Sequence, residues 1–448
     1  MSLNHLRRAI GVAVAVGSAL SSAVAQRPGL DSIPITLERV LLTAPQSHPL
    51  VLAAEARVRA ARGSRVTAGA FGNPILTYQQ ENGPFPGGSA KPGIERETSV
   101  FGTLSLEPVW QRGSRVARAR SEVTAAEADL LQASRLVTLD AARAFHRVAL
   151  AQAAFAASAD VLEGLDSLVR YTGARVREGA TPEGDLLRLQ VERDRVATEQ
   201  ALQEAELAQA RGALLPYLAT DSTSAPPMLS AVRVSDGATR ASVPVSRATI
   251  TALGDPLDLA RHVSLERPDV LAARARAASA QSEISVQRAL TIRQLGATFG
   301  TKYVGGSRTM IAGLSVPIPL FDRNRGEIER AEGERTAAAE ELRWAERRAG
   351  GELAGAYEAA RLLGIRVHEL ESGFLARAEE SRRVALAAYR EGAVPLLTVL
   401  DATRTLAEAR LTYLRARYAE QDAVLALYAA AGRDPASALS TLPRASAP

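Results

Sequence analysis

The sequence predicts a mainly helical chain with a small β part, laid out twice along its length. Three observations carry that reading. First, Arg177-Glu178-Gly179-Ala180-Thr181-Pro182 recurs as Arg390-Glu391-Gly392-Ala393-Val394-Pro395. In the same order, His48-Pro49-Leu50-Val51-Leu52-Ala53-Ala54 pairs with Arg267-Pro268-Asp269-Val270-Leu271-Ala272-Ala273, and Leu104-Ser105-Leu106 with Leu314-Ser315-Val316. Ordered matches of this kind are the mark of an internal repeat. Second, residues 109–181 and 320–394 contain no proline and are rich in Ala, Leu, Glu and Arg, all strong helix formers. Third, short segments ahead of each long stretch alternate apolar and polar residues, the period of a strand with one apolar face.

Taken from the N-terminus, Arg7 and Arg8, the apolar run Ala9 to Leu20 and the small-residue site Ala23-Val24-Ala25 predict a signal peptide over 1–25. Residues 26–215 form the first copy: a helix, strands at about 74–81 and 99–107, and long helices at about 111–178 and 183–213. Residues 216–255, rich in Pro, Ser, Thr and Ala, read as a linker or equatorial segment. Residues 256–432 form the second copy: a helix, strands at about 295–303 and 310–317, and helices at about 323–390 and 395–431. Residues 433–448 read as a disordered tail.

A seventy-residue helix spans on the order of 100 Å and is stable only when packed beside others. The side-by-side packing is visible in the spacing. Leu396, Leu400, Ala407, Leu411, Leu414, Tyr418, Leu425 and Tyr428 fall in one stripe, while Asp401, Arg404, Glu408 and Arg415 lie on another face. In the strands, Leu76 and Tyr78, Leu104 and Leu106, Leu295 to Tyr303, and Met310 to Val316 supply the apolar positions. Tyr78, Phe101, Trp110, Phe299 and Tyr303 are candidate interfacial aromatics. The strands fit a small soluble sheet or part of a membrane barrel, and the export signal favours the barrel. Four strands cannot close a membrane barrel, for which about eight is the minimum. If they cross a membrane, several copies share one barrel. No segment after the signal reads as a long uncharged apolar run, so membrane entry is expected through strands.

Composition narrows the function. There is no cysteine, which excludes disulfides, thiolate metal sites, a cysteine nucleophile and an N-terminal lipid anchor on cysteine. The formal charge is +5, but acids and arginines alternate along helical faces, so a solvated surface is expected and no nucleic-acid partner. His48, His146, His262 and His368 are scattered without ligand spacing, and no phosphate loop, nucleophile elbow or carboxylate pair appears. No metal site, cofactor or enzymatic activity is expected.

Together these features resemble the TolC family of outer-membrane efflux proteins. The resemblance rests on Val316-Pro317-Ile318-Pro319-Leu320-Phe321-Asp322-Arg323-Asn324-Arg325-Gly326, on the two Arg-Glu-Gly-Ala-x-Pro turns, and on Val399-Leu400-Asp401-Ala402-Thr403. The Pro-Ile-Pro-Leu-Phe-Asp-Arg-Asn-Arg-Gly run is most similar to the CzcC-like branch, the outer-membrane factors of heavy-metal RND pumps. The resemblance implies a homotrimer whose long helices form an α-barrel below a twelve-stranded outer-membrane β-barrel. It implies passive conduction, with outer-membrane lipid, a periplasmic adaptor (membrane fusion protein) and an inner-membrane RND pump as partners. Arg177, Glu178, Gly179, Ala180 and Pro182, with Arg390, Glu391, Gly392, Ala393 and Pro395, are then adaptor-docking hairpin tips. Asp401 and Thr398, with Asp185 and Arg188 as first-copy equivalents, are the expected periplasmic gate, where a ring of Asp401 favours cations. Pro317, Pro319, Phe321, Asp322 and Gly326 are the strand-to-helix turn, with Gly113 its expected counterpart in the first copy. The alternatives are a TolC-type channel for multidrug efflux or type I secretion, and a periplasmic coiled-coil adaptor or structural protein.

Overall fold

The computed structural model describes residues 35–83, 88, 93, 95–106, 109–218, 266–292 and 295–433. The expected signal peptide, most of the linker and nearly all of the tail lie outside the described residues.

Two short helices open the fold, α1 (Leu37–Ser47) and α2 (Pro49–Gly69), followed by strands β1 (Ile75–Glu81) and β2 (Glu97–Leu106). Two long helices come next, α3 (Val109–Arg177) and α4 (Glu183–Leu214). The second half runs α5 (Pro268–Ala289), β3 (Leu295–Val304), β4 (Ser307–Ser315), α6 (Arg325–Glu369), α7 (Ala376–Arg390) and α8 (Leu396–Ala430). Between α6 and α7 the six residues Leu370–Leu375 form a π-helical turn. The helix expected over 323–390 is therefore interrupted. Nothing in residue composition signals a change from i+4 to i+5 hydrogen bonding.

α3 is the spine. Its 69 residues span roughly 100 Å at the helical rise. Its middle carries Phe145 and Val148, both buried, against Val40 of α1 and Leu207, Ala210 and Leu214 of α4. Leu139 and Ala142 meet Leu41, Leu353 and the C-terminal end of α8. Toward the other end, Val161, Leu165 and Leu168 pack with Leu189 of α4, Tyr389 of α7 and Leu396, Val399 and Leu400 of α8. Against the sequence expectation, one window of α3 is apolar enough to cross a bilayer by length and composition. Among the described residues no other helix has such a window.

The four strands make one antiparallel sheet in the order β1-β2-β3-β4, so β2 and β3 join the two halves and β1 and β4 are edges. The register aligns Leu76 with Gly102, Gly102 with Phe299, and Phe299 with Ala312. It also aligns Leu104 with Ala297 and Ala297 with Leu314. Because side chains alternate, Leu76, Tyr78, Val100, Leu104, Phe299, Tyr303, Met310 and Leu314 all share one face. The other face carries Thr77, Gln79, Ser99, Thr103, Thr298, Lys302 and Thr309, with an ion pair between Lys302 and Glu97. Large side chains of the apolar face are widely exposed, with Leu76 at 79% and Met310 at 70%.

Three expectations are corrected. Phe101 is opposite Gly300 and lies on the polar face, not among the interfacial aromatics, because it is one residue out of phase with Val100 and Gly102. β4 starts at Ser307 and stops at Ser315, so Val316 lies outside it; the two prolines that follow cannot donate ladder bonds. Gly113 sits inside α3 rather than at a turn.

Gly300 is tightly confined. A Cβ there would lie 2.4 Å from both Cα and Cβ of Phe101. Gly313, on the same face, has only a Thr298 contact at 3.9 Å. Gly300→Val is therefore expected to destabilise the detergent-solubilised protein by about 1–3 kcal/mol, the usual cost of overpacking. Gly313→Val should cost clearly less, both read as melting temperature by circular dichroism.

Candidate functional site

Both helical hairpins end in the same backbone device. In the first, Gly179 N donates to Val176 O at 3.0 Å and Ala180 N to Arg175 O at 2.8 Å. In the second, Gly392 N donates to Tyr389 O at 3.0 Å and Ala393 N to Ala388 O at 2.8 Å. This is the 6→1 and 5→2 pattern of a Schellman cap, which needs a left-handed residue. Gly179 and Gly392 supply it with φ of +70° and +79°. Pro182 and Pro395 then stand immediately before α4 and α8, with fixed φ of −63° and −72°. Arg177, Glu178, Ala180, Arg390, Glu391 and Ala393 are all exposed around the two turns.

Just past the tips the halves diverge. On α4, Asp185 is half-buried and its carboxylate lies 3.5 Å from Arg188 Nη1. On α8, Thr398 and Asp401 are both exposed, one turn apart, and Asp401 acts through space on Arg404. The first-copy pair is neutralised within its own helix, whereas the second-copy carboxylate stays at the surface.

Sequence reasoning missed the strongest polar tie of this region. Glu192 of α4 is buried and accepts from Arg404 Nε at 3.0 Å and Nη2 at 2.5 Å, and from Arg195 Nη2 at 2.8 Å. Both carboxylate oxygens are used, in the two-pronged geometry that makes Arg–carboxylate pairs strong. The clamp joins α4 to α8 within one turn of Asp401. Its only trace in the sequence is the i,i+3 spacing of Glu192 and Arg195. A second tie joins α3 to α8, where buried His146 places Nδ1 2.5 Å from Asp422 Oδ1. At the π-turn, burial pushes the Glu420 carboxyl up to about 7, with Arg417 opposing and Glu371 adding to the rise.

At the strand-to-helix turn, Pro317 and Pro319 follow β4 and Phe321 is fully exposed. The residue that turns the chain is Asn324, with φ of +59°, while Gly326 is already helical. Asp322 Oδ1 accepts from Asn324 N at 2.8 Å, and Asn324 Nδ2 donates to Gln287 O at 2.8 Å, tying the turn to α5. Among the described residues no three His, Asp or Glu side chains come together as a metal site.

Residues 259–433, holding α5 through α8 and strands β3 and β4, match the family described as outer membrane efflux protein. The match falls in the second half of the chain. The chain is 29% identical over 335 residues to the nickel-cobalt-cadmium resistance protein NccC of Alcaligenes xylosoxydans xylosoxydans, covering 74% of this chain and 70% of NccC. It is 27% identical over 188 residues to the cation efflux system protein CusC of Escherichia coli (strain K12), covering 40% of this chain and 41% of CusC. The crystal structure of CusC shares the fold, with a TM-score of 0.73 at 20% identity over 92% of this chain and 96% of that one. With that family match and these relatives, the chain is an outer-membrane channel with a periplasmic helical part, and not an enzyme.

In this chain the Arg404 hydrogen bond, aided by Arg195 and opposed by burial, holds the Glu192 carboxyl down to about 2. A carboxylate with a depressed folded value contributes stability above its unfolded value, and that stability is lost as pH falls through the folded value. The α4–α8 clamp therefore stays charged in the folded protein down to about 2, and its contribution to stability shrinks as pH falls from about 4.5 to 2. Glu192→Gln is expected to cost about 1.5–3 kcal/mol at neutral pH, the range for hydrogen bonds to charged groups. Thermal melts across that pH window should be flatter for the variant than for the wild type.

Proposed function

We propose that three copies of this chain assemble into one conduit, a shared β-barrel in the outer membrane continued by a helical tunnel into the periplasm. The observation that carries the proposal is the sheet: one mainly apolar face, one mainly polar face, and two edges without a strand partner among the described residues. In lipid, unsatisfied edge groups cost several kcal/mol each, so the sheet requires closure. Copies meeting β1 to β4 close it, with the apolar face toward lipid and the polar face lining the pore. The helices favour the same arrangement. α4 exposes Leu187, Val191 and Leu202, and α6 and α7 expose Trp344, Leu362, Ile365 and Val384. These two outer faces of the helical layer suit contact with neighbouring copies.

The conduit acts as the exit duct of a tripartite RND-type system, fed by an inner-membrane pump through a periplasmic adaptor that docks on the two glycine tips. Heavy-metal cations are its cargo. Support comes from the resistance and cation-efflux relatives and from the surface carboxylate near the second tip. Repeated by the three-fold assembly, Asp401 forms a negative ring at the periplasmic end, with Thr398 one turn below it. Such a ring attracts cations without holding them, which conduction requires. The Glu192–Arg404 clamp keeps α8 against α4 and sets the width of that ring.

Two measurements test this reading. Deleting the gene should sensitise its host to nickel, cobalt, cadmium or copper ions rather than to dyes and antibiotics; the reverse pattern would reject the metal cargo. In planar bilayers, Asp401→Ala should shift the reversal potential under a salt gradient toward zero cation preference. An unchanged potential would remove Asp401 from the gate.

A further inference from the structure

Above the second tip, between α3, α7 and α8, lies a cavity of about 470 Å³. Its floor is apolar, formed by Leu165, Leu168, Leu386 and Val399, and its polar walls carry Arg382, Arg390 and Tyr171. Among the described residues no carboxylate lines it. Arg382 is half-buried and makes no hydrogen bond or ion pair with any described residue. Its guanidinium lies against α3 at Gly164, where a Cβ would come within 2.8 Å of Nη2. Burial, and the like charge of Arg410 beside it, push Arg382 below the ordinary arginine value. Arg410 is itself engaged, at 3.8 Å from Asp160 and 3.5 Å from Glu379. Two of the cavity hydroxyls are spent on their own helices, Ser167 donating to Glu163 O at 3.0 Å and Thr403 to Val399 O at 2.7 Å.

A partly desolvated cation without a counter-charge is costly, and an anion in the cavity relieves that cost. The shape specifies the anion further. An apolar floor beneath a guanidinium suits a side chain with an aliphatic stem and a charged head. Arg382 lies ten residues before Gly392, about 15 Å along the helix from the tip. A helical hairpin lying beside the tip reaches that height, and exposed Arg390 stands between the two.

We propose that this cavity receives a glutamate or aspartate side chain from the periplasmic partner, which makes docking lateral as well as end-on. The inference rests on the reading above that a hairpin partner docks at the glycine tips. It adds the chemistry of one contact: a carboxylate on the partner, paired with Arg382 and steered by Arg390.

The test uses the full chain in detergent, titrated by calorimetry with a soluble helical peptide bearing glutamates along one face. Its lysine twin, free glutarate and inorganic phosphate are titrated in parallel. The glutamate peptide should bind roughly tenfold or more tightly than the lysine twin and than either free anion, a margin typical of paired against unpaired interface charges. Arg382→Gln should erase the margin and Arg382→Lys retain part of it, because charge survives but the planar fork is lost. Binding that is equal in wild type and Arg382→Gln would overturn the assignment. Free glutarate or phosphate binding as tightly as the peptide would also overturn it, as a small-anion site. Wild-type conductance in a planar bilayer, recorded alongside, separates the outcomes: channels without Arg382-dependent peptide binding sink only this cavity, whereas no channels at all sink the conduit.

Discussion

A sheet that is apolar on one side and polar on the other, with both edge strands open, sets the terms for everything else in this protein. Water disfavours its apolar face, where Leu76, Phe299, Met310 and Leu314 stand exposed. Lipid disfavours its open backbone edges. Only an environment that covers the first and pairs the second satisfies both, and more copies of the same sheet in a bilayer do so. The long helices follow from that requirement. They leave the sheet at β2 and β4, and in the proposed assembly they surround the same axis as a tube. Their own packing, with α3 in contact with helices of both halves, keeps each copy a coherent segment of the wall.

At the far end of the helical part, two nearly identical turns carry different chemistry. The first half neutralises its acid locally, Asp185 against Arg188 on one helix. The second half leaves Asp401 at the surface and uses Arg404 to reach across to Glu192. The two halves share one backbone solution, the glycine cap, and differ in where the charges stand. In the proposed conduit α8 is the element that constricts the pore, and the Glu192–Arg404 pair restrains it. Breaking that pair leaves a carboxylate buried at 4% exposure without its main partner, so the restraint is strong relative to surface ion pairs.

Much of this was legible in the residues. Proline-free alanine and leucine stretches gave α3 to within a few residues, because helix propensity summed over seventy positions leaves little ambiguity. Alternation gave the four strands and their apolar face, since one face must be greasy for the sheet to serve a membrane. Pairing across the sequence was harder to read. Phe101 looks like a membrane aromatic by composition and is placed on the other face by a single step of phase. The π-turn at Leu370–Leu375 has no composition signature. Asn324 took the left-handed position that a glycine two residues later seemed to offer, because its side chain also holds Gln287. Glu192 and Arg404 are distant in sequence and lie in different halves, so their meeting depends on the packing of α4 against α8, which periodicity alone does not determine. Arg382 reads as one more surface arginine until the helices around it are assembled.

The central claim is that one copy cannot be a channel and three can. The direct measurement is the stoichiometry of the purified full-length protein in detergent, by native mass, together with its conductance in a planar bilayer. The account predicts a heat-sensitive particle of three chains that opens stepwise, cation-preferring channels. A stable, water-soluble single chain that conducts nothing would contradict it.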